Sequence, residues 1–211
     1  MHLPKHFEQT EIAEIHALIL GNPLGSLMTV GSGGLSATHI PFELAAEAGP
    51  YGMLMGHVAR ANPVWREASP DLQALVVFQG ANAYISPSWY PSKKNSGKVV
   101  PTWNYIAVHA YGRVRVVDDA ERIRAHIERL TNREESGFAQ PWSIDDAPVE
   151  FIEKMLGAVV GIEIDIARLE GKWKVSQNRS SQDREGVAKG LRKLGTPSAQ
   201  QMAFYVENAE S

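Results

Sequence analysis

Apolar and polar positions alternate through much of this 211-residue chain. A period of two predicts strands with one buried face. Residues 72–80 are apolar on both faces and indicate a central strand. Short polar or glycine-rich turns separate these segments, and such turns favour antiparallel pairing. The alternating segments are residues 24–30, 35–42, 51–58, 81–86 and 102–117.

A second pattern, with apolar residues three or four positions apart, predicts amphipathic helices. Near the N-terminus, Ile12, Ile15 and Ile19 form one such stripe. Gly21 and Pro23 follow the stripe and are typical of a helix end. The other predicted helices are residues 118–136, 148–160, 180–195 and 197–209.

The segment GIEIDIARLEGKWKVSQ, residues 161–177, predicts a strand pair or one bent strand. Its alternation places Glu163 and Asp165 on the outward face. His126 lies in the amphipathic helix 118–136, where a surface or half-buried position is expected. The inward residues of the strand pair are Ile162, Ile164 and Ile166.

Together these elements predict a mainly-β protein, with helices attached to a β-barrel at its beginning, middle and end. We find no internal repeat and no linker long enough to divide domains. The sequence therefore predicts one domain over residues 1–211, with a C-terminal helical extension at about residues 180–211. Ser180 or Ser181, and Ser198, are the expected helix caps in this extension.

The composition narrows the class of protein. Hydrophobic residues make up 44% of the chain and charged residues 21%, which fits one substantial globular core. No apolar run approaches the ~20 residues of a membrane span. The N-terminus lacks a secretory pattern and there is no cysteine, so we expect a cytoplasmic protein without disulfides or thiolate chemistry. The net charge of −3 argues against a broad nucleic-acid surface.

Several common catalytic motifs are absent from the sequence. G-x-x-x-x-G-K-[ST], H-E-x-x-H and G-x-S-x-G do not occur, which argues against a serine hydrolase or a zinc peptidase. The stretch VGSGGLS precedes a strand rather than a helix, so it predicts a hairpin turn and not a phosphate loop. The seven histidines are scattered. The sequence therefore predicts no metal site and names no catalytic residue.

Polar clusters at or after the strands are the candidate ligand site. Each cluster alone is explained by a turn, a polar strand end or a solvated loop. Together they suit a flat aromatic ligand with an anionic tail, because cations bind phosphate, amides bind a ring edge and tryptophans cover ring faces. A small barrel is filled by side chains, so such a site is expected on its outer face, shared between two subunits. The candidates are Thr38, His39, His57, Arg60, Asn62, Trp89, Lys98, Trp103, Lys174, Gln177, Asn178 and Arg179.

Four segments, in order along the chain, resemble the signature segments of the PaiB-type FMN-binding proteins, which are often described as negative transcriptional regulators. They are GHVARANPVW, AYISPSWYPSK, VPTWNYIAVHAYG and KWKVSQNR. The resemblance covers nearly the whole chain, from GSLMTV through DREGVAKGL. It implies a six-stranded antiparallel split β-barrel that binds FMN, similar to pyridoxamine-phosphate oxidase and the flavin reductases.

The resemblance also implies a homodimer that holds FMN at the subunit interface. By position, GHVARAN would place His57, Arg60 and Asn62 on the FMN tail. ATHIPF would line the edge of the isoalloxazine ring through its backbone. KWKVSQNR would close the site, from the same chain or from the second one.

Two other functions remain open on the sequence alone. A DNA-binding regulator would need a recognition helix, but the last predicted helix is nearly uncharged and the helix before it carries only a modest basic stripe. An enzyme would be a flavin-dependent oxidoreductase or a haem-binding or haem-degrading split barrel. In the haem case, His39 or His57 would be the candidate iron ligand.

Overall fold

The computed structural model describes residues 1–209, and these form antiparallel sheets with attached helices. Short 3₁₀ turns lie at Lys5–Phe7, Pro87–Trp89 and Ile144–Asp146. The α-helices are α1 (Ile12–Gly21), α2 (Val64–Glu67), α3 (Lys93–Ser96), α4 (Ala120–Glu135), α5 (Val149–Gly157), α6 (Ser181–Leu194) and α7 (Pro197–Glu207). The strands are β1 (Glu8–Gln9), β2 (Leu24–Gly31), β3 (Gly34–Pro41), β4 (Glu43–Ala45), β5 (Met53–Ala59), β6 (Ala74–Ile85), β7 (Thr102–Gly112), β8 (Val114–Val117), β9 (Val159–Asp165) and β10 (Arg168–Lys174).

The chain separates into two compact units. Unit 1 comprises residues 1–18, residues 79–108 and the chain from Glu170 onward. Unit 2 comprises residues 19–78 and 109–169. Helix α1 and strands β6, β7 and β10 have residues in both units. No helix within residues 1–209 is long and apolar enough to cross a lipid bilayer.

Unit 1 is a small antiparallel sheet with two C-terminal helices. β1 pairs with β10, with Glu8 opposite Lys172, and β7 lies between β10 and β6. Helices α6 and α7 fall in the predicted C-terminal extension, of which residues 210 and 211 lie outside the described part. The side chains of Ser180 and Thr196 accept the N-terminal capping bonds of these helices, so the prediction of Ser198 as a cap was wrong. The buried apolar residues include Ile15, Ala81, Ile85, Ile106, Val108, Val187, Leu191, Met202 and Val206.

Unit 2 contains a hairpin and a four-stranded sheet. β2 and β3 pair around a tight turn with Gly31 opposite Gly34, as the pattern VGSGGLS predicted. The four-stranded sheet has the antiparallel order β4-β5-β9-β8. Phe42 and Phe78 meet edge to face at a centroid distance of 5.9 Å. The fully buried residues around them include Leu27, Ile40, Leu54, Val76, Ile162 and Ile164.

One predicted strand boundary was wrong for a local reason. Residues 72–80 and 81–86 look like two strands in sequence, but β6 is one strand of twelve residues. Its burial alternates on even positions from Ala74 to Phe78 and on odd positions from Ala81 to Ile85. Such a change of phase is typical of a β-bulge, which adds one residue to a strand without ending it. The change falls at Gln79 and Gly80.

The mainly-β fold with attached helices is confirmed, and the described residues contain ten strands. The predicted strand 102–117 is broken into β7 and β8 near Gly112, where a Cβ would lie 2.2 Å from the carbonyl oxygen of Asp165. Residues 161–177 form a strand pair, β9 and β10. Glu163 does point away from the isoleucine face, but it is only 1% exposed. The predicted outward direction of Glu163 is therefore observed, but the side chain is covered and not solvated.

Candidate functional site

The exposed face of β6 and β7 in unit 1 carries aromatic side chains. Tyr84 and Trp103 are 49% and 52% exposed, and their rings meet edge to face at 6.1 Å. The indole Nε1 of Trp103 donates to Oδ1 of Asn82 at 3.2 Å. These rings are outward because they occupy the positions of β6 and β7 that alternate with buried Ala83 and Asn104. Adjacent exposed rings make this face a candidate binding surface.

A cavity opens at this face. Its volume is about 360 Å³, which lies at the lower end of the usual range for small-molecule sites. We call it the Trp103 cavity. It combines two side-chain amides with two aromatic rings, which suits a flat ligand with a polar edge. The lining residues are Gln79, Gly80, Asn82, Trp103, Tyr105 and Ile106.

Asn82 is held in place by helix α7. The Ser198 hydroxyl donates to the backbone oxygen of Asn82 at 2.8 Å and accepts from its backbone N–H at 3.2 Å. The side-chain oxygen of Asn82 accepts from Trp103. Within residues 1–209, no group accepts from the side-chain NH₂ of Asn82, so that donor is available to a ligand.

Two lysines on β10 bind only neutral oxygen atoms. Nζ of Lys174 donates to Oγ1 of Thr102 at 2.6 Å and to the backbone oxygen of Trp103 at 2.8 Å. Burial lowers the pKa of Lys174 from its ordinary value. Nζ of Lys172 donates to the backbone oxygen of His2 at 2.8 Å and lies 5.3 Å from the ring centroid of Tyr105. Neither lysine has a carboxylate partner among the described residues.

The segment after β10 forms a tight, internally bonded loop. Ser176 adopts a left-handed backbone conformation with φ of 70°, and its hydroxyl accepts from the buried side chain of Asn104 at 2.9 Å. Gln177 donates to the Trp173 carbonyl at 2.5 Å and accepts from Val175 N–H at 2.9 Å. A non-glycine residue in this conformation costs free energy, so the surrounding bonds must maintain it. The side chain of Gln177 is thus used within the loop.

The other predicted residues of unit 1 lie around this loop and helix α6. Asn178 is exposed, and the guanidinium of Arg179 lies 5.0 Å from the ring centroid of Tyr90. Trp89 packs on α6, because a Cβ at Gly190 would lie 2.3 Å from its ring. Lys98 is exposed in the chain between α3 and β7. A cofactor contact of these four residues stays a prediction.

Arg60 in unit 2 is held by four hydrogen bonds. It donates to the carbonyl oxygens of Gly157 and Val159 at 2.9 and 3.0 Å, and to both carboxylate oxygens of Asp118 at 3.1 and 2.6 Å. The pKa of Asp118 is lowered, chiefly by the bond from Arg60. The Asn62 side-chain oxygen accepts from the N–H of Val64 at 3.0 Å. Arg60 is therefore pre-positioned, but a carboxylate already occupies its outer edge.

Two predicted residues lie on the edge strand β3. His39 is exposed, and its Nδ1 lies 3.0 Å from Oγ of Ser26 on β2. Thr38 is half-buried beside it, opposite Leu27 in the β2–β3 register. These positions stay candidates for cofactor contact.

His57 belongs to a buried chain of polar groups. Nδ1 of His57 lies 3.2 Å from Nε2 of His126, and Nδ1 of His126 lies 2.9 Å from a carboxylate oxygen of Glu43. His126 is 0% exposed, so the expectation of a surface or half-buried residue was wrong. Burial is the main cause that lowers the pKa of both histidines. His57 thus faces helix α4 with its Nδ1 side.

Glu163 joins a second buried polar group of unit 2. Arg115 donates to its carboxylate at 3.0 and 2.6 Å, and Arg122 of α4 donates to its other oxygen. Helix α4 therefore contacts the outward face of the four-stranded sheet with charged groups as well as with the buried side chain of Ile123. Buried charges of this kind are tolerated because each is paired.

Several residues of both regions were missed by the sequence reasoning. Gln79, Asn82 and Tyr105 line the Trp103 cavity, and an amide opposite a tryptophan on neighbouring strands is a signal that could have drawn attention to Asn82. His126 lies three positions after Ile123 on the helical stripe, which could have indicated burial. Nothing local indicated Glu43 as its partner, because the two are 83 residues apart.

The fold is that of the flavin-binding split barrels, as comparison with solved structures shows. The flavocytochrome Anf3 from Azotobacter vinelandii matches with a TM-score of 0.56, at 14% identity, over 87% of this chain and 78% of its own. The FAD and heme binding protein from Mycobacterium smegmatis also matches with a TM-score of 0.56, at 17% identity, over 87% of this chain and 80% of its own. At these identities the likeness shows the architecture alone, and it confirms the predicted fold class.

The chain belongs to the family described as "Putative FMN-binding domain", whose family model matches residues 1–168. It is 34% identical over 208 residues to the "Protease synthase and sporulation protein PAI 2" of Bacillus subtilis strain 168. That alignment covers 99% of this chain and 97% of the relative. The resemblance to PaiB-type FMN-binding proteins is therefore confirmed, with FMN as the cofactor of the family.

Proposed function

We propose that this protein binds FMN with its isoalloxazine ring against the Trp103 cavity. The observation that carries the proposal is the exposed ring of Trp103 and the half-buried ring of Tyr105, which line a cavity with the amides of Gln79 and Asn82. Aromatic rings favour the faces of a flavin, and the free NH₂ of Asn82 suits a ring carbonyl. The cavity accommodates part of an FMN molecule, so the ribityl chain and phosphate extend beyond it.

Two cationic groups are candidates for the phosphate, and each is proposed on its own grounds. Lys174 in unit 1 has only neutral partners, so it can take a phosphate without losing an ion pair. Arg60 in unit 2 is the candidate that the family resemblance implies. Its two bonds to carbonyl oxygens fix the guanidinium, and its bond to half-exposed Asp118 is the one that a phosphate would replace.

The first test is identification of the ligand that co-purifies with the protein. We expect absorbance in the flavin region, and a titration that saturates at micromolar FMN. A Soret band instead would favour the haem alternative, and absence of binding at micromolar FMN would contradict the proposal. Riboflavin is the matched ligand, because it lacks the phosphate.

The ring site is tested by Trp103→Ala, with Trp142→Ala as the matched control. Trp142 is 43% exposed and belongs to unit 2. Loss of a stacked ring costs about 1–3 kcal/mol, or roughly 5- to 150-fold in affinity. We expect Trp103→Ala to weaken FMN and riboflavin equally and Trp142→Ala to leave both unchanged. Unaltered binding in Trp103→Ala would place the ring elsewhere.

A homodimer is the proposed assembly. In support, β2 and β3 of unit 2 expose Leu24, Val30 and Leu35 at 64%, 41% and 78%. Exposed apolar residues on an edge hairpin favour contact with a second chain. Sedimentation of the wild-type protein is expected to show a dimer, and Leu35→Lys is expected to weaken it. Leu72→Lys, at a residue 51% exposed outside the hairpin, is the control.

A regulatory role is proposed from the relative in Bacillus subtilis, whose name refers to protease synthesis and sporulation. Direct DNA binding has less support, because Arg192 of α6 is paired with Glu207 at 2.5 Å. The test is binding to the promoter DNA of the protein's own gene, with and without FMN. A regulator is expected to bind with a steep salt dependence, and salt-independent binding would argue against it. The cytoplasmic location stays a prediction.

A further inference from the structure

Three side chains from three elements of unit 2 are connected in series by hydrogen bonds. Glu43 lies on β4, His126 on α4 and His57 on β5. The carboxylate of Glu43 meets Nδ1 of His126 at 2.9 Å, and Nε2 of His126 meets Nδ1 of His57 at 3.2 Å. The chain therefore connects helix α4 to two strands of the four-stranded sheet.

The direction of these bonds follows from their chemistry. An ionised carboxylate only accepts hydrogen bonds. Nδ1 of His126 is therefore protonated and donates a hydrogen bond to Glu43. Nε2 of neutral His126 must then accept, and Nδ1 of His57 donates to it. Of the four ring nitrogens of the two histidines, Nε2 of His57 is the one whose lone pair is not used in these bonds. That atom has no hydrogen-bond partner within residues 1–209, and His57 is half-buried, so this nitrogen is the one that we expect to take the first proton from solvent.

The two possible protonation steps differ in their consequences. A first proton on Nε2 of His57 leaves both hydrogen bonds intact, because Nδ1 of His57 still donates. A second proton would have to bind Nε2 of His126. The N–H groups of His126 and His57 would then face each other, and neither could accept. It would also place two cations side by side, with ring centroids 5.3 Å apart. The second proton therefore breaks the chain where the first does not.

The surrounding charges oppose the second proton. Arg129 of α4 occupies the Glu43 carboxylate with bonds of 2.6 and 3.2 Å, so that negative charge is already shared. Arg133 of α4 adds further positive charge near His126. On the same face of the sheet, Arg115 of β8 and Arg122 of α4 are paired with Glu163 of β9. The carboxylates of Glu43 and Glu163 are thus already paired with arginines and cannot fully compensate a charge on His126.

We propose that Glu43, His126 and His57 form a proton-operated latch that holds helix α4 on the sheet and releases it when both histidines are protonated. The latch does not depend on flavin binding, although the family resemblance also makes His57 a candidate cofactor residue. Its release in acid would uncover the charged face of the sheet that α4 covers.

The pH range of the latch follows from the directions of the pKa shifts. Burial lowers the pKa of both histidines below the ordinary value of 6.5, so the docked helix resists their protonation. The opened state binds more protons, and opening therefore becomes easier as pH falls below about 6.5. The bonds from Arg129 and His126 outweigh burial and lower the pKa of Glu43, so its carboxylate stays ionised in this range.

The test is hydrogen exchange of the α4 amides in the full-length protein between pH 7.5 and 5.0, corrected for the intrinsic rate. Each proton taken up on opening changes the opening constant about tenfold per pH unit. We expect protection of α4 to fall at least tenfold below pH 6, while the amides of α6 in unit 1 keep theirs. Constant α4 protection over the whole range would overturn the proposal.

His126→Gln is the decisive variant. A glutamine amide can donate to Glu43 and accept from His57, yet it takes no proton. We expect its α4 protection to be independent of pH, whereas His6→Gln, at an exposed residue of unit 1, keeps the wild-type response. If His126→Gln does not fold, His57→Gln replaces it and should shift the loss of protection to lower pH. A wild-type acid response in the folded variant would also overturn the proposal.

Discussion

The lysines of β10 in unit 1 and three arginines of unit 2 have different partners. In unit 2, Arg60, Arg115 and Arg129 each bind a carboxylate at 2.6 Å. In unit 1, Lys172 and Lys174 bind only backbone or hydroxyl oxygens. A carboxylate neutralises a cation, whereas a neutral oxygen orients it and leaves its charge for a ligand.

This difference separates a structural role from a binding role. Helix α4 covers the charged face of unit 2, and its ion pairs help to hold it there together with the buried side chain of Ile123. The aromatic face of unit 1 is open, and Lys174 and the Asn82 amide can meet an anionic aromatic ligand, whereas Lys172 is buried. Residue type alone does not distinguish the two faces, since each carries cations and rings. The following changes are expected to separate them, in order of decreasing effect.

The largest effect is expected from the double change Arg115→Met and Arg122→Met in unit 2. It leaves the carboxylate of Glu163, 1% exposed, without a compensating charge. Removing one side of a buried ion pair is strongly destabilising. Because both arginines are half-exposed and screened by solvent, the expected loss in the free energy of unfolding is about 2–3 kcal/mol. Urea denaturation measures it. Arg192→Met in unit 1, whose partner Glu207 is 40% exposed, should cost far less, and equal losses would remove the distinction between the units.

The next effect concerns the open lysine of unit 1. Lys174→Met is expected to weaken FMN by roughly 10- to 100-fold, the value of one charge-assisted hydrogen bond. Riboflavin binding should change little, because it has no phosphate. Isothermal titration with both ligands gives the comparison. Equal losses for FMN and riboflavin would show that Lys174 supports the ring site and not the phosphate.

A smaller effect is expected from the histidines of unit 2. Their folded-state pKa values lie below the unfolded value, so the unfolded chain binds more protons. Stability is therefore full above about pH 6.5 and falls as pH decreases, by up to about 1.4 kcal/mol per pH unit for each proton. Urea denaturation at several pH values should show a shallower slope in His57→Gln than in wild type. The same slope in both proteins would mean that other groups cause the loss of stability in acid.

The smallest effect should come from Asp118→Asn, which removes the charge that occupies Arg60. If Arg60 contacts the phosphate, FMN affinity should rise a few-fold, because no ion pair has to be broken. Asp145→Asn is the control, since Asp145 pairs with Arg124 in the same unit and is 84% exposed. Unchanged FMN affinity in Asp118→Asn would leave Lys174 as the favoured phosphate ligand.

Much of the fold could be predicted from the sequence, because strand and helix periodicity are local properties. The hairpin at Gly31–Gly34, the inward isoleucines of β9 and the N-cap at Ser180 are all observed. The errors have local causes as well. A change of phase at Gln79 and Gly80 made one strand look like two, and Thr196 rather than Ser198 caps the last helix.

The candidate site was less predictable. Trp103 and Lys174 lie together in unit 1, where Lys174 binds the Trp103 carbonyl. In contrast, the side-chain amide of Gln177 is hydrogen-bonded within its own loop, and Arg60 is bound to Asp118. Propensity and spacing show which side chains are polar, but they do not show which of them remain available to a ligand.

The sequence by itself determined the strands, the helices and the family, because each rests on patterns within short segments. Only the tertiary structure decided which charges are paired and which are open. The reason is distance along the chain: Glu43 meets His126 across 83 residues, and Lys174 meets Thr102 across 72. Such contacts depend on how strands are ordered in a sheet and which helix covers it, and no local pattern records that order.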